Sequence, residues 1–394
     1  MTWDHIDGWL QLGVRWLHVV AGVVWIGTSF YFVWVNNKIR HAPDLPEGSE
    51  AELWAVHGGG FYRVLKYARL SKLPETLHWF KWEAYTTWMS GFALLVLLFY
   101  LDADIFLIDP TKADITPLVA SAIGIGLLVA GWFVYDWICK SPLLNDPPYF
   151  VALSLVLITA VIFGLTQVFS ARAAYIHTGA LIGTLMAGNV FFVIIPAQRE
   201  VVTAIEAGRE PDYRLGAHAA VRSLHNNYLT LPVLFIMISS HFPFTFGHDQ
   251  GWAVLAGLIL LGALIRHWFN LRGQGHKNMW ALPVAALGML TLAYVTVPDT
   301  GLPTVDPATV SIEDGVEIIT TRCTPCHSAG PTHPGFSAPP KDITFDDADS
   351  MVGNAALIRT QAVSTRNMPL GNVTNMTDEE RAILSVWLDE YTDG

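Results

Sequence analysis

Eight long apolar runs fill the first three-quarters of this chain. They are centred in residues 9–35, 84–101, 116–138, 149–169, 173–197, 228–246, 251–270 and 279–297. A helix needs roughly 20 apolar residues to cross a bilayer, and these runs have that length. A single water-soluble domain would have to bury eight helices that are apolar all round. Hydrocarbon accepts them directly, because a helix satisfies its own backbone hydrogen bonds. The glycines in the runs, and Pro232 and Pro283 near expected helix starts, are tolerated in membrane helices for the same reason. Only 14% of the residues are charged, against about 25% in soluble domains, and the deficit lies in residues 1–297. The composition changes near Pro298. The expected division is a membrane part at 1–297, a linker "PDTGLPTVDPATVS" at 298–311, and a soluble tail at 312–394.

Lysine and arginine orient such a bundle. The segment after the first run carries Lys38, Arg40, Arg63, Lys66, Arg69, Lys72 and Lys81. Lys140 follows the third run. Arg199, Arg209, Arg214 and Arg222 follow the fifth, and Arg272 and Lys277 the seventh. The alternate connections hold only Lys112 and Arg172. Both chain ends are therefore expected on the outer side. The first run is long and has no basic segment before it, so it reads as a span rather than a cleaved signal.

The tail contains "TTRCTPCHSAG". There are three cysteines, Cys139, Cys323 and Cys326. Cys139 reads as a packed thiol at the inner end of the third run. One CxxC pair completes neither a disulfide framework nor a four-cysteine zinc site. A CxxC followed at once by His is the attachment signature of c-type haem: Cys323 and Cys326 each add to a vinyl group, and His327 becomes an axial iron ligand. In bacteria this attachment takes place in the periplasm, which agrees with the charge asymmetry and places the chain as a multi-pass inner-membrane protein with both ends periplasmic. A helix, "IEDGVEIITTRC", leads into the motif. A loop, "RNMPLG", and a capped helix, "TDEERAILSVWL" with Thr377 as cap and Glu380 three residues on, follow it. This is a class I cytochrome c pattern. Met368 is the expected sixth ligand. Met376 abuts the helix cap, and Met351 reads as core of a short helix. A His/Met pair raises haem potential, which suits an electron acceptor. The expected fold class is all-α: an eight-helix transmembrane bundle plus a periplasmic class I cytochrome c domain.

Ionisable and polar residues inside the runs are functional candidates. Gln11, Arg15 and His18 follow helical spacing and share one face of the first run, near its outer end. Gln167, His177 and His241 lie at the same level. Glu83, Asp136, Arg266 and His267 form a second group near the inner rim, with His57, His78 and His225 beside it. Charges at a rim often only anchor helix ends, so the outer group is the expected site, with Gln11, Arg15, His18 and His177 lining a cavity that opens toward the tail.

The segments "RWLHVVAGVVWIGTSFYF", "HGGGFYRVLKY", "LHWFKWEAYTTWMSG" and "HTGALIGTLMAGNVFFVIIPAQ", with the appended "CTPCH…NMP", resemble the membrane-bound, cytochrome c-linked urate oxidases along essentially the whole chain. The resemblance implies hydroxylation of urate to 5-hydroxyisourate, with electrons leaving through the haem instead of forming hydrogen peroxide. It assigns no substrate residues. The chemistry fits the outer group. Urate is a planar monoanion near neutral pH, an arginine fork matches its carbonyl and nitrogen edge, Trp16, Trp25 or Tyr31 can stack on it, and a neutral histidine can take its proton.

Two alternatives stay open. "WLHVVAGVVWIG" is similar to the first helix of small membrane haem proteins, so His18 with His177, His241 or His267 would hold a haem b. A chain of that kind would relay electrons from quinol to an oxidase. The tail from Ile312 carries thirteen acidic and five basic residues, which predicts a soluble cytochrome or terminal oxidase with a basic docking face as acceptor. Net charge is −11 and the basic residues gather at one membrane face, so no nucleic-acid partner is expected.

Overall fold

The computed structural model describes residues 3–67, 70, 72–297 and 301–392. Arg69 and the composition break at Pro298 lie outside the described residues. Each of the eight apolar runs holds a helix: α1 (Trp3–Lys38), α2 (Trp82–Leu95, extended by a π-helical turn at Val96–Tyr100), α3 (Pro117–Lys140), α4 (Pro147–Thr166), α5 (Ala171–Glu206, with a π-helical turn at Asn189–Ile194), α6 (Tyr213–Ile238), α7 (Gly251–Gly273) and α8 (Ala281–Val295). Five of them, α1, α3, α4, α5 and α7, are long and apolar enough to cross a membrane, and α8 is a shorter apolar helix. Local chemistry sets the starts. Thr116 Oγ1 accepts the Val119 N–H at 3.4 Å ahead of Pro117. Ser170 Oγ accepts the Ala173 N–H at 3.3 Å, and Asp212 accepts the Arg214 N–H at 3.0 Å.

The chain is mostly helical, but it is not all-α. Ser49–His57 (β1) and Gly60–Tyr67 (β2) form an antiparallel hairpin. Gly58 and Gly59 turn it with φ of +55° and +80°, a backbone that only glycine adopts without strain. The sixth helix also differs from its expected bounds. It begins at Tyr213, so Pro232 is interior to it and Arg222 is a helix residue rather than a loop residue. Arg222 depresses local hydropathy, which hides the first half of this helix from an apolarity count. The freed backbone near Pro232 is covered by α7, whose Gly262 would place a Cβ 3.2 Å from the proline ring.

α1 packs on α2 at the edge of the bundle, and α5, α6 and α7 form its middle. Ile182, Ile236 and Leu255, one from each, are buried together. The tail builds its own core from Ile319, Met351, Ile358, Leu384, Trp387 and Leu388. Its first helix, α9 (Ile312–Arg322), crosses its last, α11 (Asp378–Thr392), at Gly315, where the Trp387 ring lies against bare backbone and Trp387 Nε1 donates to the Ile312 carbonyl at 3.0 Å. Between them lies α10 (Ala348–Gly353), which holds Met351 in that core.

The tail rests on one end of the bundle. Gly335 meets Ile105, Phe336 meets the edge of Phe106 at 6.5 Å, and a Cβ on Gly247 would sit 2.6 Å from the Thr365 carbonyl oxygen. Ile108 pairs with Phe169 across this end. The tail therefore touches the connections after α2 and α6, with that after α4 beside them. These are the alternate connections, which together carry only Lys112 and Arg172.

Candidate functional site

The turn from Cys323 to His327 continues α9: the Cys326 and His327 amides donate to the Cys323 carbonyl at 3.1 and 2.8 Å. His327 Nδ1 lies 3.0 Å from the Ile343 carbonyl oxygen. That oxygen can only accept, so Nδ1 carries the proton and Nε2 keeps its lone pair. Phe345 braces the ring at 5.3 Å. Met368 sits half-buried in its loop, its amide donating to the Gln361 carbonyl at 2.8 Å. Arg381, buried on α11, holds this loop by donating to the carbonyls of Met368 (2.9 Å) and Ala362. The sequence reading missed Arg381, since an arginine on a surface-patterned helix reads as solvated. Both thiols are free. Burial pushes the Cys323 thiol up to about 12 and raises that of Cys326 as well. Two thiols, a proton-free imidazole nitrogen and a thioether are the donor set of a covalently attached haem, so the residues present fit that group. Among the described residues no cluster of three or more His, Cys, Asp or Glu forms a site for a simple metal ion.

The outer group predicted from sequence is only partly gathered. Gln11 Nε2 donates to Asp7 Oδ2 at 2.6 Å. Arg15 is exposed on α1. His18 lies deeper than its sequence position suggests. Its Nδ1 is 3.0 Å from the Thr87 carbonyl and 3.2 Å from Ser90 Oγ, and its ring faces Gly91 in the middle of α2. α1 is 36 residues long and reaches past the end of α2, which is why position along it misjudged depth. His177 is fully buried among Phe99, Tyr100, Phe169 and Gly124. Its Nδ1 donates to the Ala173 carbonyl at 2.8 Å, so Nε2 accepts from the Tyr100 hydroxyl at 3.2 Å. Arg172 lies close enough to Arg15 for the two like charges to repel, and its guanidinium is 5.9 Å from the Phe99 ring that flanks His177.

A cavity of about 640 Å³ separates the bundle from the tail. Phe106, Gln167, Arg172 and Trp252 line it from the bundle, and Asn367 and Arg381 from the tail. Gln11, Arg15, His18 and His177 do not line this cavity.

The far half of the bundle holds a polar network. Arg222 donates to Asp136 at 2.6 Å and to Asn189 at 3.1 Å, and lies 4.9 Å over the Tyr135 ring. Asn189 donates to Asn226 at 2.8 Å and to Tyr135 at 3.0 Å. The Tyr135 hydroxyl meets His225 Nδ1 at 2.8 Å, with buried Cys139 beside it. A second knot joins Arg266 Nε and Asn270 Nδ2, both donating to Asn227 Oδ1 at 2.9 and 2.8 Å. His267 is bonded to the Tyr228 hydroxyl at 2.7 Å. Sequence reasoning named Asp136 and Arg266 but passed over Asn189, Asn226, Asn227 and Asn270. Asparagines inside apolar helices were the available signal.

Compared with known proteins, residues 4–297 match the family described as urate oxidase N-terminal, which takes in the whole helical bundle. No curated protein and no solved structure matches the chain.

Proposed function

The chain belongs to the urate oxidase N-terminal family, and from that premise we propose a membrane oxidoreductase that oxidises urate to 5-hydroxyisourate and passes the electrons to a haem c on its own tail. Family membership points to urate oxidation. The observation that carries the electron route is His327, whose ring is fixed by the Ile343 carbonyl with Nε2 left free, one residue after the second cysteine of the pair. In the net reaction urate gains one oxygen from water at a ring carbon, two electrons leave, and the protons released go to a base and then to solvent. Bound haem would supply a one-electron acceptor with a raised potential, so the two electrons would leave in successive single transfers, with the downstream acceptor taking the first before the second.

The chain's own residues divide the remaining work. Cys323 and Cys326 would anchor the group, His327 and Met368 would hold its iron, and Arg381 fixes the Met368 loop. Arg15 is the expected partner of the urate anion, with Gln11 as a paired donor and acceptor. His18 is the better base of the two histidines, because its Nδ1 proton faces the Thr87 carbonyl and Nε2 is left basic. His177 has the same tautomer but is committed to Tyr100. The acidic tail would face the periplasm of a bacterial inner membrane and hand electrons to a soluble cytochrome or terminal oxidase. The test is a pyridine haemochrome spectrum of purified protein before and after anaerobic urate. One haem c per chain that urate reduces is expected. Absence of haem c, or a haem that urate leaves oxidised, would sink the reading.

A further inference from the structure

Arg172 makes no hydrogen bond or ion pair among the described residues, and its Nε is buried with no partner. A second cation, Arg15, lies near it, and its guanidinium is 5.9 Å from the face of Phe99. Arg172 is half-buried near the start of α5, and a guanidinium whose Nε is out of solvent with no acceptor, close to a second cation, is costly. The other basic groups on the cavity wall are engaged: Lys112 with Asp109 at 3.4 Å, Arg366 with Asp378 at 3.4 Å, and Arg381 with two carbonyls.

We propose that Arg172, backed by Arg15, is the anion-receiving group for the substrate, and that the substrate binds in the cavity between bundle and tail. This rests on urate oxidation as given under Proposed function, and it moves the anion contact from Arg15, which does not line the cavity, to Arg172, which does. The cavity, about 640 Å³, has the size of a small-molecule site. Its walls suit a planar anion with alternating carbonyl and N–H edges. The arginine supplies a fork of parallel donors, Gln167 a donor beside an acceptor, and Phe163 and Trp252, edge to face at 5.5 Å, an aromatic surface. Asp249 on the same wall forms no ion pair among the described residues, so the cavity is not basic throughout and recognition is local to Arg172. The opposite wall runs from Thr365 to Asn372, the loop that carries Met368. A substrate held here lies against the electron-accepting part of the tail without crossing the bundle.

The experiment uses full-length protein in detergent. Urate affinity is measured by equilibrium dialysis with labelled urate, alongside KM and the visible spectrum. Arg172→Gln is expected to weaken binding and raise KM by about 10- to 100-fold, the range for a lost charge-assisted fork, with the spectrum unmoved. Arg172→Lys recovers part of the loss, since a point charge lacks the fork, and Gln167→Ala loses several-fold. Unchanged affinity in Arg172→Gln overturns the inference. A shifted spectrum with unchanged affinity also overturns it, by assigning Arg172 to the carboxylates of the haem. Should Arg172→Gln fail to assemble, unchanged affinity in both Arg172→Lys and Gln167→Ala overturns it equally. A wild-type chain that neither binds nor oxidises urate removes the underlying reading as well; normal wild-type oxidation with indifferent variants removes this inference alone.

Discussion

The two halves of the bundle treat the cations set between their helices in opposite ways. In the far half, Arg222 has a carboxylate, a carboxamide and an aromatic face, and Asp136 is also held by Lys140 at 2.5 Å. On the tail side, Arg172 has an aromatic face and a competing cation. Arg266 lies between these extremes. It is stacked on Phe30 at 4.0 Å and bonded to Asn227, but it has no carboxylate, and Asn227 Nδ2 and Asn270 Oδ1 near it are buried without partners. A buried charge whose bonds are filled ties helices together. One whose bonds are unfilled leaves capacity for a ligand. The same distinction separates the histidines: His177 and His327 both donate Nδ1–H to a carbonyl, but Tyr100 fills the second nitrogen of His177, while that of His327 has no partner among the described residues.

The largest expected effect tests that histidine contrast. If the tail carries the proposed haem c, His327→Ala should abolish its normal ligation and turnover while the bundle still inserts, and Cys323→Ser should lose the covalent link. His177→Ala should leave the tail's haem spectrum alone. Haem-linked turnover surviving in His327→Ala would reverse the comparison. Next comes the filled network. Asp136→Asn strands the buried Arg222 charge, and thermal unfolding should report a loss on the order of 3–5 kcal/mol, whereas Arg172→Gln should cost little stability and much affinity. Equal stability losses would mean that the two arginines do the same job. A smaller effect separates two methionines. Met368→Ala should remove the sulfur-to-iron absorption band and lower the potential. Met351→Ala, a core truncation, should cost about 2–5 kcal/mol and leave the band in place.

Much of this was legible in the sequence because the signals were local. Apolar runs located the helices, and the capping pair of Thr377 and Glu380 forms as spaced, with amide-to-side-chain distances of 2.8 and 3.2 Å. Met351 is buried in the tail's core as its short helix implied. What failed depended on partners distant in sequence. Arg222 could not be placed inside a helix until Asp136 and Asn189 were seen beside it. Depth along α1 misled for His18, because nothing local says how far a helix extends beyond its neighbour. The hairpin at 49–67 has no continuous apolar run to mark it, and only the glycines at its turn, Gly58 and Gly59, signal it locally. Arg172 appeared in the sequence only as one of two basic residues on the poor side. Its lack of an anion is a property of the packed bundle.

The smallest expected effect concerns a filled charge pair in the tail, where screening by solvent should make a satisfied ion worth little. Glu380 receives Arg322 Nη2 at 2.8 Å, Arg322 Nε at 3.1 Å and the Thr377 amide at 2.8 Å. Partial burial alone would raise its carboxyl, but the bonds from Arg322 and Thr377 outweigh that and hold it below the usual carboxylate range. A carboxyl lowered on folding adds stability above its unfolded value, about 4.3, and that contribution disappears as pH falls through the folded value. With the pair roughly a quarter exposed, the contribution near neutrality should be about 1 kcal/mol at most. Calorimetry of full-length protein should therefore find Glu380→Gln slightly less stable than wild type from pH 5 to 7, with the gap closing toward pH 3. A gap that stays constant down to pH 3 would mean that the carboxylate's charge contributes nothing and that only its shape matters. In that case, filled charges in the tail and in the bundle would follow different rules.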